Sequence, residues 1–400
     1  MKKRIAAIDI GTTKVCTIMA DVDSNSGIRV LGVGIAPSHG IEKALVTDAN
    51  KARESIRESI HKAEVMAGHK VRSAYIGVTG RHISSSNNRA TIAITRSDTQ
   101  VRSDDLKRAL RVAVNVTIPP EQKILHVIPR SYKLDGQEVK SPVGMNGAEL
   151  EVEVHIIKAS ISSVQNLIKV VQGLGVNVED LVLEPLASAE AVLAEEEKLG
   201  GVLIADIGGG TTDIAVIKDG SIYYTSVIPA AGHQITSDLS AGLGMSYELA
   251  EEMKKKYGTL AASDENADPD KTVGENGQSV NFRDLCEIMQ ARVAEIIRLI
   301  VMDLPSEKNR FLIPTGIVLT GGCANIPGIV EMAQKITGLP VRMGIPMALN
   351  GVSVEALSDP AYATSVGLIT WSMKNKGTSN WFGKRQGLRG FMDQIFQVFR

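Results

Sequence analysis

Ile8-Asp9-Ile10-Gly11-Thr12-Thr13-Lys14, near the start of the chain, is nearly repeated by Asp206-Ile207-Gly208-Gly209-Gly210-Thr211-Thr212-Asp213 in its middle. In both stretches an apolar run ends in Asp, turns through glycine, passes two threonines and becomes apolar again. Each therefore predicts a β-hairpin with a glycine turn. Glycine lets backbone N–H groups approach a ligand closely, and with threonine hydroxyls they can surround phosphate oxygens. Two matched copies predict a phosphate site between two related halves of the protein.

The aspartate at the mouth of each turn is a hard oxygen ligand, and Mg²⁺ usually binds one or two carboxylates together with retained water. Asp9 and Asp206 are therefore the predicted Mg²⁺ ligands, acting through water. The chain contains no G-x-x-x-x-G-K-[ST] and no G-x-G-x-x-G, so neither the P-loop nor the Rossmann fingerprint is available. The predicted phosphate-binding residues are Asp9, Gly11, Thr12, Thr13 and Lys14 in the first stretch and Asp206, Gly208, Gly209, Gly210, Thr211 and Thr212 in the second.

A third glycine turn, Thr320-Gly321-Gly322, follows a β-branched run. Asn325 and Pro327 stand where a helix would begin, as N-cap and early helical residue. A helix N-terminus beside a close-approach glycine suits the sugar or α-phosphate end of a nucleotide, although the same pattern is a common strand-to-helix turn. Gly321, Gly322 and Asn325 are the nucleotide-binding candidates of this element.

The order of these three elements resembles the phosphate-1, phosphate-2 and adenosine motifs of the actin, Hsp70 and sugar-kinase superfamily. Four stretches between them narrow the resemblance: Ser38-His39-Gly40-Ile41, Tyr75-Ile76-Gly77-Val78-Thr79-Gly80-Arg81-His82-Ile83, Leu125-His126-Val127-Ile128-Pro129 and Ser141-Pro142-Val143-Gly144. They are similar to one family, the bacterial cell-division protein FtsA, and the resemblance extends from Arg4 to Arg400. The resemblance implies an α/β, actin-like fold with duplicated lobes around a nucleotide cleft, an inserted small α+β subdomain (1C) and a C-terminal amphipathic helix.

The resemblance also implies how the chain is divided. Residues from about Ser84 to Lys158 form a block of short alternating strands with one helix, which matches the inserted subdomain of the family. The implied divisions are subdomain 1A at 1–83, 161–187 and 360–373, the inserted block 1C at 84–160, 2A at 188–232 and 313–359, 2B at 233–312, a linker at 374–387 and a membrane-targeting helix at 388–400.

Local patterns predict several elements directly. A helix is expected at Ala49–Ala67, because apolar residues recur there at i, i+4, i+7 and i+11. Further helices are expected to begin near Ser237 and Ser246. The polar, turn-rich stretch from Ala261 to Ser279 is expected to be a loop.

Composition limits the class of protein. At 400 residues the chain exceeds what one hydrophobic core usually supports, and a net charge of −1 offers no basic face for nucleic acid. Its three cysteines lack C-x-x-C spacing, which argues against a disulfide framework or a zinc site and suits a reducing compartment. No apolar run of about 18 residues occurs. We therefore expect a cytoplasmic protein without a membrane-spanning segment.

Four further site residues rest on the resemblance. Glu184 matches the acidic residue that lies near the attacking water in many actin-like ATPases, where a carboxylate can orient or deprotonate water. The alternative is a carboxylate favoured at a helix start, just before Pro185. Gly232 lies where the superfamily has its ribose-side loop. Glu251 and Lys254 fall on a helix that flanks the nucleoside in the superfamily, although a solvated Glu–Lys pair explains them equally well.

The family resemblance implies ATP and Mg²⁺ as cofactors, with weak ATPase activity at most. It implies self-association into filaments, binding of the FtsZ C-terminal peptide at subdomain 2B and of later division proteins at the inserted block. Arg292, Arg298, Lys308 and Arg310 are candidates for contacting the acidic FtsZ peptide, although a solvated face accounts for them too.

The last twenty residues carry a second signal, because four of the six Phe and one of the two Trp lie there. At 100° per residue, apolar and polar residues separate onto two sides of a helix, which predicts an amphipathic helix at a membrane interface. Positive charge at its start would attract anionic lipid, although docking into a groove on a protein is the alternative. The predicted membrane contacts are Leu388, Phe391, Met392, Ile395, Phe396 and Phe399 on the apolar side, with Lys384, Arg385 and Arg389 as the basic residues.

These expectations describe an actin-like ATP-binding protein that polymerises at the inner face of the cell membrane and anchors FtsZ filaments there, at the division septum. Two other classes share the fold. A sugar or acetate kinase would need a second, substrate-shaped polar pocket. A PilM-like pilus adaptor would not be expected to end in a membrane helix.

Overall fold

The computed structural model describes residues 3–23, 27–261, 271–275, 277–304, 312–347 and 349–374. The predicted tail helix at 388–400 and most of the predicted linker lie outside these ranges, as do Lys308 and Arg310. None of the described helices is long and apolar enough to cross a bilayer.

The first lobe is built on a six-stranded sheet in the order β11-β6-β1-β2-β3-β19. Strand β1 pairs antiparallel with β2 and parallel with β6. The strands are β1 Lys3–Ile10, β2 Lys14–Asp23, β3 Gly27–Pro37, β6 Ser73–Val78, β11 Asn177–Leu183 and β19 Leu349–Gly351, with a small hairpin of β4 Ile41–Glu42 and β5 Leu45–Val46.

Helix α1, Ala49–Ala67, packs on this sheet and has the predicted bounds. The Asp48 side chain caps it by accepting from the Asn50 and Lys51 amides, and Gly68 ends it with a left-handed φ of 73°. Close packing depends on Gly34 of β3, since a Cβ atom there would stand 1.9 Å from the Ser59 carbonyl oxygen. Helix α3, Ile161–Gln172, also belongs to this lobe.

The inserted block forms an antiparallel sheet of its own in the order β7-β10-β8-β9, covered by one helix. Buried and more exposed residues alternate along the first part of β10. Its buried residues Leu150, Val152, Val154 and Ile156 belong to a separate core, whereas Ile157 and Ala159 pack in the core of the first lobe. The elements are β7 Ile83–Ala93, α2 Ser103–Val114, β8 Gln122–Leu134, β9 Gln137–Val139 and β10 Glu149–Ser160. The structure thus confirms the predicted self-contained α+β fold of this block.

The second lobe repeats the topology of the first, with a sheet in the order β14-β13-β12-β17-β18. In each lobe an antiparallel three-strand meander is followed by two parallel strands beside its first strand. Its strands are β12 Val202–Ile207, β13 Thr212–Lys218, β14 Ser221–Ile228, β17 Gly316–Thr320 and β18 Val341–Met343. The structure thus confirms the predicted duplication.

Helices cover the second sheet and extend it outward. They are α6 Gly232–Leu243, α7 Tyr247–Tyr257, α8 Phe282–Met302 and α9 Ile329–Thr337, joined by the hairpin β15 Thr272–Glu275 and β16 Gln278–Asn281. The start predicted near Ser246 is confirmed, because Ser246 is the N-cap of α7. The start predicted near Ser237 is wrong by five residues, since the chain turns directly into α6 after Ala231. The predicted loop from Ala261 to Ser279 is wrong at its end, where β15 and β16 pair.

Two helices cross between the lobes: α4 Glu184–Val192 and α11 Ala363–Lys374. They approach so closely that a Cβ atom at Gly367 would stand 1.9 Å from the Ala187 carbonyl oxygen. At the end of α11, Lys374 Nζ lies 2.6 Å from Glu190 and 3.2 Å from Glu195. The remaining short elements are α5 Glu195–Gly200, α10 Val354–Leu357 and 3-10 helices at Gly322–Asn325 and Pro360–Tyr362. Cys16, Cys286 and Cys323 are buried and unpaired with one another.

Candidate nucleotide-binding site

The two glycine turns have the same backbone geometry. In the first hairpin Ile10 pairs with Val15, and the Gly11 N–H donates to the Lys14 carbonyl at 3.0 Å. In the second, Ile207 pairs with Thr212, and the Gly208 N–H donates to the Thr211 carbonyl at 2.9 Å. Asp9 and Asp206 are thus equivalent residues, each immediately before the last residue of its strand.

The threonines of the two turns, by contrast, are not equivalent. Since Gly11 corresponds to Gly208, Thr12 and Thr13 correspond to Gly209 and Gly210. Thr212 lies in β13, is fully buried, and its hydroxyl donates to the Ala230 carbonyl at 2.7 Å. Of the predicted phosphate-binding residues in the two turns, Thr212 alone therefore points into its own lobe.

A cavity of about 60 Å³ lies between the turns, with walls from both lobes. The predicted residues on its wall are Asp9, Gly11, Thr12, Thr13, Lys14, Glu184, Asp206, Gly208, Gly209, Gly210 and Thr211. Residues that the sequence did not single out complete the lining: Ala44, Thr79, Asp213, Ala361 and Thr364. The fold therefore brings together residues from both ends and the middle of the chain.

Hydroxyl groups from the crossing helices orient the two turn aspartates. Ser365 of α11 donates to Asp9 at 2.6 Å. Ser188 of α4 and Thr364 of α11 donate to Asp206 at 2.6 and 3.0 Å. Burial raises the pKa of both carboxyl groups, and the neighbouring Lys14 opposes that rise. A divalent cation between them would therefore relieve an unfavourable buried charge.

Asp213 is a third carboxylate on the wall, and it was not predicted as a site residue. Its side chain accepts hydrogen bonds from Thr79 of the first lobe and from Thr211, the latter at 3.0 Å. Burial raises its pKa to about 7, in spite of these hydrogen bonds. The sequence feature that could have identified Asp213 is its place in the second stretch, directly after the second threonine.

Glu184 is the fourth carboxylate and the first residue of α4, followed by Pro185. It faces the cavity and lies beside Gly77, where a Cβ atom would stand 3.2 Å from its side chain. Burial raises its pKa well above the usual range, and Asp213, Asp9 and Asp206 raise it further. The helix-start and cavity-lining interpretations of Glu184 therefore both describe its position.

The predicted nucleoside-side residues meet behind the second turn. The Gly208 carbonyl accepts from the Gly232 N–H at 3.1 Å and from the Cys323 thiol at 3.2 Å. Lys254 forms an ion pair with Glu251 at 2.6 Å and donates to the Gly232 carbonyl at 3.3 Å. Gly232, Glu251 and Lys254 therefore form one cluster, although none of them lines the cavity itself.

Gly321 of the third glycine turn lies close to Asp206, but Asn325 is not the helix N-cap that the sequence predicts. Gly321 has a φ of 84°, and a Cβ atom there would stand 2.3 Å from Asp206 Oδ1. Gly322 begins a 3-10 helix that ends at Asn325, while α9 starts later, with Gly328 as its N-cap. The prediction that Asn325 caps this helix is wrong, because the tighter helix intervenes; its amide donates to Asp359 at 2.8 Å.

Two further contacts hold the first turn in place. Ala44 at the tip of the β4–β5 hairpin donates its N–H to Thr12 Oγ1 at 3.4 Å, and both Lys43 and Ala44 have positive φ. Lys14 Nζ donates to the Ala361 carbonyl at 2.6 Å and lies 4.9 Å from the centre of the Tyr362 ring. Lys14 therefore links the first turn to the segment that enters α11.

Comparison with protein families gives two matches along the chain. The model of "Cell division protein FtsA" matches residues 203–367, and that of the "SHS2 domain inserted in FTSA" matches residues 80–158. The cell division protein FtsA of Pseudomonas aeruginosa is 38% identical over 379 residues, which are 94% of this chain and 90% of that protein.

Solved structures share the fold at low sequence identity. The PilM-PilN type IV pilus biogenesis complex aligns with a TM-score of 0.64 and 15% identity, covering 91% of this chain and 97% of the other. MreB 5 of Spiroplasma citri bound to AMPPNP aligns with a TM-score of 0.55 and 16% identity, covering 93% and 96%. These likenesses establish the actin-like fold, with an inserted SHS2 domain.

Proposed function

This chain belongs to the FtsA family of cell division proteins, and we propose that it binds Mg²⁺-ATP in its cleft and polymerises on the membrane to anchor FtsZ filaments. Family membership supports a role in cell division and leaves no support for the sugar-kinase or PilM-like alternatives. The observation that carries the nucleotide proposal is the pair of equivalent turns holding Asp9 and Asp206 on either side of one cavity.

The donor set fits a magnesium–phosphate ligand. Two turns present backbone N–H groups and threonine hydroxyls, which suit phosphate oxygens. Within the described ranges, no three His, Cys, Asp or Glu side chains form a ready-made metal site. We expect Asp9 and Asp206, which both line the cavity, to hold Mg²⁺ through water, because Mg²⁺ commonly binds one or two carboxylates and retains water. The bound ion would neutralise negative charge on both the phosphates and the aspartates.

The remaining predicted contacts follow from the same orientation. With phosphates between the turns, the nucleoside would lie towards Gly232, Glu251 and Lys254, with Gly321 and Gly322 beside the α-phosphate. Asn325 is engaged with Asp359 and is the least favoured of these contacts. Glu184 remains the candidate for orienting water. Burial raises its pKa well above the usual range, and a bound cation would oppose that rise by favouring the ionised carboxylate. Weak ATPase activity at most stays a prediction of the family resemblance.

The membrane and partner roles rest on family membership and on the tail sequence. We propose that the tail helix binds anionic lipid on the cytoplasmic face of the membrane at the septum. In the same proposal, subdomain 2B receives the FtsZ C-terminal peptide and the inserted block binds later division proteins. Among the candidate FtsZ contacts, Arg292 forms ion pairs with Asp238 at 2.5 Å and Glu295 at 2.6 Å, so it would have to exchange partners. The subdomain divisions given above are retained as part of this proposal.

Calorimetric titration of Mg²⁺-ATP into the full chain tests the central claim. We expect binding by the unmodified protein, its loss in Asp9→Asn and Asp206→Asn, and no change in the control Asp104→Asn, whose side chain is 91% exposed on α2. Circular dichroism would verify that each variant is folded. Equal ATP affinity in folded Asp206→Asn would contradict the proposed site.

A further inference from the structure

The inserted block contacts both lobes, although its chain leaves and re-enters the first lobe alone. Its strand β8 reaches the end of β11, and its strands β7, β8 and β10 lie against β14, the edge strand of the second sheet. Two buried histidines, His126 and His155, are at these two contacts, with 3% and 1% of their surface exposed.

His126 binds the junction that carries Glu184. Its Nε2 accepts the Leu183 N–H at 3.1 Å, and Leu183 is the last residue of β11 and the N-cap of α4. The ring also packs edge-on against Trp371 of α11, with ring centres 5.8 Å apart. The imidazole thus fixes the backbone one residue before a cavity-lining carboxylate.

His155 binds the edge strand of the second lobe. Its Nε2 lies 2.9 Å from Thr225 Oγ1, and its Nδ1 lies 2.6 Å from Asn87 Oδ1. Thr225 is itself 3% exposed. It is two residues from Val227, which pairs with Asp213 across the β13–β14 ladder. The second histidine is therefore connected to the opposite wall of the same cavity.

Other side chains strengthen the contact with β14 by capping carbonyl groups along its unpaired edge. Ser85 donates to the Thr225 carbonyl at 2.8 Å, and Asn87 donates to the Tyr223 carbonyl at 3.3 Å. The Arg130 guanidinium stacks over the Tyr223 ring at 3.8 Å from its centre. Because an edge strand otherwise leaves these carbonyls to water, side chains of the block bind the backbone of β14 as well as its side chains.

Both histidines are neutral in the folded protein, since burial lowers the pKa of each to about 3. An Nε2 that accepts a hydrogen bond carries no proton, so the ring proton is on Nδ1. For His155 this matches the Asn87 oxygen facing Nδ1 and makes the Thr225 hydroxyl the donor. Each contact therefore needs an acceptor of defined position rather than a charge.

We propose that His126 and His155 are positioning residues, through which the inserted block holds the Glu184 and Asp213 walls of the nucleotide site in register. The proposal rests on the proposed nucleotide function. By linkage, nucleotide binding in the cleft would in turn order the block's contacts with both lobes.

The test compares Mg²⁺-ATP affinity across matched variants of the full chain. His126→Phe keeps the ring but leaves the Leu183 N–H without an acceptor, and we expect roughly five- to tenfold weaker binding. His126→Gln, whose side-chain oxygen can accept the same bond, should restore most of the affinity. Thr225→Val should weaken binding as His155→Phe does. Val152→Ala, in the block's separate core, is the control for lost block stability with the His126 and His155 contacts kept, and it should weaken binding less than either histidine variant.

Hydrogen exchange supplies the readout that a purely structural role would not move. Mg²⁺-ATP should slow amide exchange in β10, and Thr225→Val should abolish that protection. If the unmodified protein binds no nucleotide, the proposed function fails. If it binds, yet His126→Phe and Thr225→Val bind as well as Val152→Ala, the positioning role is overturned while the nucleotide site stands.

Discussion

Gly210 and Thr12 lie directly against each other across the cleft: a Cβ atom at Gly210 would stand 2.5 Å from Thr12 Oγ1. Gly209 and Thr13 are equally close, since a Cβ atom at Gly209 would stand 2.3 Å from Thr13 Cγ2. The threonines of the first turn therefore occupy space that the glycines of the second turn leave open. This complementarity explains why turns with the same backbone have different residues at equivalent positions.

The first prediction concerns this contact. Gly209→Ala should force the turns apart and cost about 1–3 kcal/mol of unfolding free energy, as overpacking usually does. Thr13→Ser removes the methyl group that the new side chain meets but keeps the hydroxyl, so it should recover most of the loss in the double variant. Denaturant unfolding measures this coupling. Gly208→Ala is the control, because its nearest contact is at 3.3 Å; equal losses in the two alanine variants would contradict the packing argument.

The second prediction concerns Asp213, whose pKa is raised to about 7 by burial. A nearby cation favours the ionised form of this carboxylate, so loss of the Asp213 proton should by itself raise Mg²⁺-ATP affinity by roughly tenfold between pH 6 and pH 8. Asp213→Asn should remove this tenfold component and leave only the pH dependence that comes from Glu184, Asp9 and Asp206. Calorimetry at several pH values measures the slope. An unchanged slope would mean that Asp213 does not act on the metal.

The third prediction concerns acid stability. His126 and His155 have pKa values of about 3 when folded and about 6.5 when unfolded, so the unfolded chain binds more protons between these values. Their contribution to stability is complete above pH 6.5 and is lost as the pH falls. At pH 5 it should be lower by about 2 kcal/mol for each histidine. Denaturant unfolding should therefore show a smaller difference between the unmodified protein and His126→Gln at pH 5 than at pH 7.5; a constant difference would refute it.

The fourth prediction concerns the tail helix, which lies outside the described residues. Removing residues 388–400, or introducing Phe396→Glu on the apolar side, should release the protein from anionic liposomes while Mg²⁺-ATP binding is retained. A charge at an interfacial position costs somewhat less than the roughly 2.5–3.5 kcal/mol found at the membrane centre. Sedimentation with liposomes measures the effect, and Gln397→Glu on the polar side is the matched control. Full sedimentation of the shortened chain would favour docking of the tail on a protein.

Short-range signals predicted the parts of the fold that depend on neighbouring residues. Helix α1 was predicted at its observed bounds from its apolar period alone, and the structure shows that Asp48 and Gly68 cap the same segment. The two turns were predicted because the same pattern occurs twice. The start of α6 was missed because its N-cap is Ala231, which has no side-chain oxygen to mark a helix start. The helix after Gly322 was misjudged because a 3-10 turn and a helical turn share the same early residues.

The unpredicted part of the site depends on contacts between distant segments. Thr79 reaches Asp213 across 134 positions, and Ser365 reaches Asp9 across 356. Nothing in the local sequence of these residues distinguishes them from ordinary buried hydroxyls. His126 and His155 are similar cases, since their partners come from β11 and β14. Such roles follow from the duplicated topology, which brings the segments together only after both lobes have folded.

The two ion pairs of Lys374 with Glu190 and Glu195 have a mechanical consequence. Helix α11 packs on the first lobe, but its last described residue is attached to α4 and α5, which lead into the second lobe. A pull on the chain beyond Lys374 would therefore load both lobes at the crossing of α4 and α11, beside the cleft. Tension from a bound surface would thus act on the helix crossing that adjoins the proposed nucleotide site.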